Sequence, residues 1–324
     1  MATSSSSPTV SIRLMTYMHE EFIDSAMDGI MMQQYDGHIE VVVGDDFSTD
    51  NTLKIIKSYA DTDRIKIKIL ERSKGDGYWQ KRQQLGRLYN FANIIENCTG
   101  DYIALLDGDD YWTDPLKLQK QVDFLKKNTH FVISGHDAYV VDENNNQIDS
   151  LRINESNDVD YTEHQLKCGA FLLSLSIVYR NVIKTFPKEF FEVNNGDTFL
   201  IALLGEHGKG KFLSTIRPAS YRIHSESIWS SRSEFERRYN RMILFHGLYS
   251  YFHAQKDHEM SIYYNKQLED FLVSLLSYPR NDEKYDRKKY MHVAKIYFNH
   301  LKPYRSWILS KYMLRNISYF LIKR

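Results

Sequence analysis

The chain has 324 residues, enough for one large domain or two smaller ones, with 42% hydrophobic and 26% charged residues. Lys+Arg and Asp+Glu each number 42, which excludes a generally basic nucleic-acid binder and an acidic disordered chain. Cys98 and Cys168 form no CxxC or Cys/His cluster, so neither a disulfide framework nor a structural zinc is expected, and a reducing, cytoplasmic setting is.

Residues 1–9 read as a flexible leader; Met1 to Pro8 is Ser-rich and lacks the basic and apolar regions of a signal peptide. No run of 18 apolar residues occurs, so no membrane-spanning helix is expected. Val10 to Thr16 predicts a strand, Glu21 to Gln34 a helix, and Ile39 to Gly44 a buried strand that ends in Asp45-Asp46. Asp50 to Ala60 reads as a helix, Ile65 to Leu70 as a half-buried edge strand, and Gln83 to Asn97 as a helix. Tyr102 to Leu106 is a second buried strand and runs into Asp107-Gly108-Asp109-Asp110. Asp114-Pro115 supplies an N-cap and first-turn proline for a helix to about Lys127, and Phe131 to Ser134 is one more strand. This alternation predicts an α/β fold with a mainly parallel sheet flanked by helices. Ligands bind beyond the carboxyl ends of the strands in such sheets, and two of these ends carry acidic clusters.

Three carboxylates within the four residues Asp107 to Asp110 repel one another unless a cation sits among them. Hard divalent ions take one or two carboxylates plus phosphate oxygens, so the cluster suits a metal held against a diphosphate. A solvated turn capping the next helix is the other local reading. Asp46, just past a strand, can accept from a base N–H or a ribose hydroxyl, or cap the helix that follows.

The ordered stretches Leu14-Met15-Thr16-Tyr17 with His19-Glu20, Val43-Gly44-Asp45-Asp46-Phe47-Ser48-Thr49-Asp50-Asn51-Thr52, and Gly100-Asp101-Tyr102 through Asp107-Gly108-Asp109-Asp110-Tyr111-Trp112 to Asp114-Pro115-Leu116-Lys117-Leu118 give a combined pattern. Over residues 10–230 it resembles a family-2 glycosyltransferase of the GT-A type. The resemblance implies a catalytic domain over residues 10–234; beyond it, residues 235–324 read as an almost entirely helical, basic and aromatic extension. It implies an inverting transfer of a sugar from a nucleotide-diphospho-sugar, UDP leading, to a hydroxyl of a glycan or lipid-linked acceptor in cell-surface polysaccharide synthesis. The implied cofactor is a divalent cation, Mn or Mg.

Roles follow from the matching positions. Thr16, Tyr17 and Glu20 fall in the segment that cradles the nucleotide, and Asp46 matches the base-contacting carboxylate. Asp109 matches the metal-binding member of the DxD motif, with Asp107 nearer the donor sugar and ribose. Arg87, in Gln84 to Asn90, is a candidate for a phosphate or the base. Asp197, after Asn195-Gly196, matches the catalytic base and could also cap the helix Thr198 to Glu206. Tyr221-Arg222-Ile223-His224 resembles a family segment, with the Ser-x-Trp-Ser-like tail at Ser227 to Ser230. That makes Arg222 a phosphate-binding candidate and His224 a metal ligand. Met18 stands where the family usually has Asn. A nucleotidyltransferase, or a nucleotide-sugar-binding protein of the same fold without full activity, are the competing classes.

The zero net charge is unevenly spread. Lys284 to Arg324 holds eleven Lys/Arg against the single acid Asp286. Within it, Trp307 to Lys323 makes an amphipathic helical stripe. Such a helix can pack on the protein or on a second copy, or lie as a peripheral contact on the inner face of a membrane.

Overall fold

The structure is a computed structural model that describes residues 8–151, 160–225, 232–276 and 286–300. The chain forms two compact units, Met1–Phe191 with Gly196–Ser227, and Glu192–Asn195 with Ile228–Arg324. The expected Ser-x-Trp-Ser tail and the C-terminal amphipathic stripe lie outside the described residues.

The first unit begins as the apolar runs predict. Strands β1 (Val10–Thr16) and β2 (Ile39–Asp45) pair in parallel, with helix α1 (Ile23–Met31) between them in sequence. Helix α2 (Thr52–Ser58) leads to β3 (Ile65–Ile69), which among the described residues pairs only with β2 and so is the edge strand its Ile/Lys alternation implies. The helix expected over Gln83 to Asn97 is two helices, α3 (Gly77–Leu85) and α4 (Leu88–Glu96). Gly86, at φ 77°, breaks them in a left-handed conformation that glycine adopts without a Cβ penalty. Strand β4 (Tyr102–Asp107) then pairs with β1 on the side away from β2, and α5 (Lys117–Lys127) follows.

The rest of the unit comprises β5 (Phe131–Gly135), β6 (Ala138–Val141), β7 (Gln147–Leu151), α6 (Glu163–Lys167), β8 (Val178–Arg180), α7 (Gly196–Leu204), β9 (Lys209–Phe212) and β10 (Ala219–Arg222). The main sheet has the order β3-β2-β1-β4-β8-β5-β9, parallel except for β8, which is antiparallel to both neighbours. A small second sheet has the order β10-β6-β7. Tyr111 and Ser220 exchange backbone hydrogen bonds at 3.2 and 2.9 Å, which stitches β10 to the chain just after β4.

Strand alternation sorts the core onto two faces. Val10, Ile12 and Leu14 of β1 pack with Ile23, Met27 and Ile30 of α1 and Leu118, Val122 and Leu125 of α5. On the other face, α4 lies close enough to β2 that a Cβ on Gly44 would meet Ile94 Cγ1 at 2.2 Å. There the Phe91 ring contacts Phe186 and Phe190, and Phe190 meets Phe199 of α7 edge-on. Arg13 is the exception in this apolar layer, a charged side chain only 1% exposed.

The second unit is helical. Helix α8 (Glu234–Ala254) starts with a Ser233–Glu236 capping box and turns through Lys256 into α9 (His258–Leu276). Phe252 stacks on Tyr264 near that turn, and Arg238 Nη1 donates to Ser274 Oγ at 2.6 Å at the far end, so the two helices are antiparallel. Helix α10 (Arg287–His300) joins α8 through Lys289–Glu236 at 2.6 Å. Among the described residues, no helix is long and apolar enough to cross a membrane.

One glycine tests the α1 packing. A Cβ on Gly29 would lie 2.9 Å from the Trp112 backbone nitrogen and 3.0 Å from its oxygen. Backbone cannot swing aside, so Gly29→Ala is expected to destabilise the fold by about 1–3 kcal/mol, read as a lower urea midpoint. An unchanged midpoint would show that α1 does not approach this segment so closely.

Candidate active site

The carboxyl ends of β1, β2 and β4 open on one side of the sheet. The turn after β4 has no room for a side chain at Gly108, where a Cβ would lie 2.6 Å from His19 Nδ1 and 2.9 Å from Thr16 Cγ2. Glycine therefore lets the acidic turn press against the end of β1. The three carboxylates of this turn are drawn to three different partners.

Asp107, the last residue of β4, accepts from Arg13 Nη1 at 2.5 Å. Asp109 lies 3.3 Å from His224 Nε2 and 4.0 Å from His19 Nε2. Burial works to raise its carboxyl, but the His224 hydrogen bond and the nearby His19 outweigh it and hold Asp109 below the ordinary carboxylate range. Asp110 is buried and accepts the Arg222 backbone N–H at 2.9 Å. Its removal from water, reinforced by the charge of Asp109, lifts it well above that range.

Asp197 enters from the first turn of α7, and its carboxylate accepts from the Thr198 amide at 2.8 Å. Burial raises its pKa, the Thr198 amide opposes that, and the charge of Asp107 adds to the rise. The Asp107 field at Asp197 puts the candidate base and the acidic turn in one electrostatic environment. A carboxylate lifted in this way is a stronger base than an exposed aspartate.

The β2 end is more occupied than expected. Both oxygens of Asp46 accept from Arg82, at 2.7 to 3.1 Å, and Tyr78 donates to it at 3.2 Å. Arg72 lies 3.7 Å over the Tyr78 ring and donates to the Asp45 carbonyl and to Asn90. Tyr17, just past β1, is 58% exposed, and Arg87 is half-buried just before α4. Met18 has φ 54°, in the left-handed region where Asn is several-fold enriched, which gives a backbone reason for the Asn usual at that position.

Three of the expected ligand contacts also make bonds within the protein. Thr16 is buried and its hydroxyl donates to Asp45 at 2.9 Å, tying β1 to β2. The Glu20 carboxylate accepts from the Asn51 amide at 2.7 Å and from its side chain at 3.0 Å, so it anchors the start of α2. The guanidinium of Arg222, only 2% exposed, donates to the carbonyls of Asp109, Asp142 and Glu143 and to Asn145 Oδ1. These contacts tie it to the acidic turn. Sequence reading assigns no role to Arg13, Arg82 or His19; His19 lies in the quoted His19-Glu20 stretch, and Arg13 is a lone charge inside an apolar strand.

The raised Asp197 has a stability consequence with a definite sign. A carboxyl whose pKa is higher in the fold than in the unfolded chain favours the fold below its unfolded pKa and loses that contribution as pH rises through the folded one. Asp197→Asn should therefore raise the melting temperature at pH 7, on the order of 2–4 °C. The gain should vanish below pH 3.8, the ordinary aspartate value. A melting temperature that falls at pH 7 would instead mark Asp197 as a stabilising cap.

Comparison with known proteins agrees with this architecture. Residues 11–176 match the Glycosyl transferase family 2 description. An uncharacterized protein of Mycobacterium tuberculosis is 31% identical over 232 residues, 71% of this chain and 63% of that protein. The chain thus spans less than two thirds of the length of its mycobacterial relatives. The Escherichia coli UDP-Glc:alpha-D-GlcNAc-diphosphoundecaprenol beta-1,3-glucosyltransferase WfgD is 25% identical over 71% of this chain and 84% of its own. The crystal structure of Staphylococcus aureus TarS 1–349 superposes with a TM-score of 0.57 at 17% identity, covering 88% of this chain and 78% of that one, a likeness of fold. With over half of its length matched by the family, the chain belongs to glycosyl transferase family 2.

Proposed function

We propose that this protein is an inverting, metal-dependent glycosyltransferase. It moves a sugar from a UDP-sugar to a hydroxyl of a glycan or lipid-linked acceptor in cell-surface polysaccharide synthesis. The observation that carries the reading is the meeting of Asp107, Asp109 and His224 with the raised carboxyl of Asp197 at the strand ends. The WfgD relative, whose name gives UDP-Glc as donor and a diphosphoundecaprenol-linked sugar as acceptor, supports the substrate classes.

The donor set suits a divalent cation shared with substrate. Asp109 and His224 offer an oxygen and an imidazole nitrogen side by side. Among the described residues, no three His, Cys, Asp or Glu side chains form a complete metal cage. Such a partial set fits an ion whose remaining positions go to water and diphosphate oxygens. When bound, that ion supplies Lewis-acid stabilisation of the leaving diphosphate.

The chain's own residues carry the rest. Asp107, at the end of β4, faces the donor sugar and ribose. Asp46 and Arg82 together shape the base pocket beside the exposed Tyr17 ring. The acceptor hydroxyl gives its proton to an Asp197 oxygen as its own oxygen bonds to the anomeric carbon. The bond from that carbon to the diphosphate oxygen breaks on the opposite side, so one displacement inverts the centre and needs no covalent intermediate.

Transfer should fall on the acid side as Asp197 takes up a proton, with a midpoint above the ordinary aspartate value of 3.8. Asp197→Asn should keep UDP binding and lose about 10²–10⁴-fold in transfer from UDP-sugars with Mn²⁺. A rate within about threefold of the parent, far short of a general-base effect, removes the base assignment. Separately, Asp109→Ala and His224→Ala should each weaken Mn²⁺-dependent UDP binding in calorimetry by about 10-fold or more. Equal UDP affinity in all three proteins, with and without Mn²⁺, would remove the metal role.

A further inference from the structure

Arg13 is an unexpected charge for an apolar strand. It sits mid-strand in β1, between Ile12 and Leu14, and is 1% exposed. Its guanidinium carbon lies 4.8 Å over the Phe91 ring, its Nη1 donates to Asp107, and its Nε is buried with no partner. An aliphatic residue would suit this apolar layer at no desolvation cost, whereas a buried, incompletely bonded guanidinium is expensive. Stability alone therefore does not account for an arginine here.

Register explains what the arginine reaches. Arg13 pairs with Leu105 and Met15 with Asp107 across the β1–β4 ladder, so Arg13 and Asp107 share a sheet face one step apart. The long side chain rises along that face and meets the Asp107 Oδ1 oxygen from inside the sheet. Asp107 itself, the last residue of β4, is 29% exposed. Arg13 also bears on Asp197: besides burial, the negative charge of Asp107 raises that carboxyl and the positive charge of Arg13 lowers it. One buried cation thus faces two carboxylates that come from different elements.

We propose that Arg13 is a positioning residue, clamping one oxygen of Asp107 from within the sheet so that the other is presented to the donor. The proposal rests on the glycosyltransferase reading for what Asp107 contacts, and on the 2.5 Å Arg13–Asp107 bond for the clamp.

The test is a double-mutant cycle on the full chain: parent, Arg13→Met, Asp107→Asn and the double variant, with Arg13→Lys as the conservative change. UDP with Mn²⁺ is the calorimetric probe, and thermal unfolding without ligand is the second readout. Arg13→Met should weaken UDP by about 10–100-fold, the usual effect of removing a group that orients a ligand-contacting carboxylate. Arg13→Lys should recover most of that loss. The double variant should bind within about twofold of Asp107→Asn alone, because the clamp has nothing left to hold. Losses that multiply, or an Arg13→Met affinity within about twofold of the parent while Asp107→Asn is impaired, would overturn the proposal.

The unfolding arm keeps the two readings separable. Asp107→Asn should restore at least half of the melting temperature lost in Arg13→Met, since it removes the charge left without its partner. No restoration overturns the clamp whatever the ligand data. A parent protein that binds no UDP overturns the donor reading, and restoration then still supports the clamp. Should Arg13→Met fail to fold, Arg13→Gln takes its place in the cycle.

Discussion

Three carboxylates within four residues at the end of a buried strand are a charge problem that the fold has to solve. Left in one field they would repel one another and resist burial. The structure gives each a different answer from a different element. Arg13 reaches Asp107 along β1, His224 meets Asp109 from the segment after β10, and the Arg222 amide caps Asp110. The small sheet, the Tyr111–Ser220 stitch and the close seat of Gly108 against β1 all serve that separation. Much of the architecture around the site can be read as the scaffolding for this one turn.

The same logic applies at the end of β2. Asp45 is held by Thr16 and Ser48, and Asp46 by Arg82 and Tyr78. Polar groups at the strand ends satisfy one another first, and what remains exposed is what a ligand can meet. Thr16, Glu20 and Arg222, candidate ligand contacts by position, also serve as struts. Arg82 joins Asp46 in the same way, although nothing in its local sequence distinguishes it from other helical arginines.

The legible part of the sequence was that governed by local rules. Apolar runs and alternation located the strands from β1 to β5, and Ile/Lys alternation marked β3 as an edge. The acidic clusters lie, as read, at the carboxyl ends of β2 and β4, where a parallel sheet binds ligands. The single helix expected over Gln83 to Asn97 failed at Gly86, since helical periodicity continues across a break that one left-handed residue makes. Strand β8 runs antiparallel between parallel neighbours, and no local pattern encodes direction.

The sequence by itself determined the element types, the mainly parallel sheet and the two acidic strand ends, because periodicity and turn chemistry act over a few residues. Only the tertiary structure decided which charges meet. Arg13 and Asp107 are 94 residues apart, Asp109 and His224 115, and Arg82 and Asp46 36. Such pairings depend on strand order and register. A step of one residue would turn Arg13 to the opposite face and leave Asp107 without its partner.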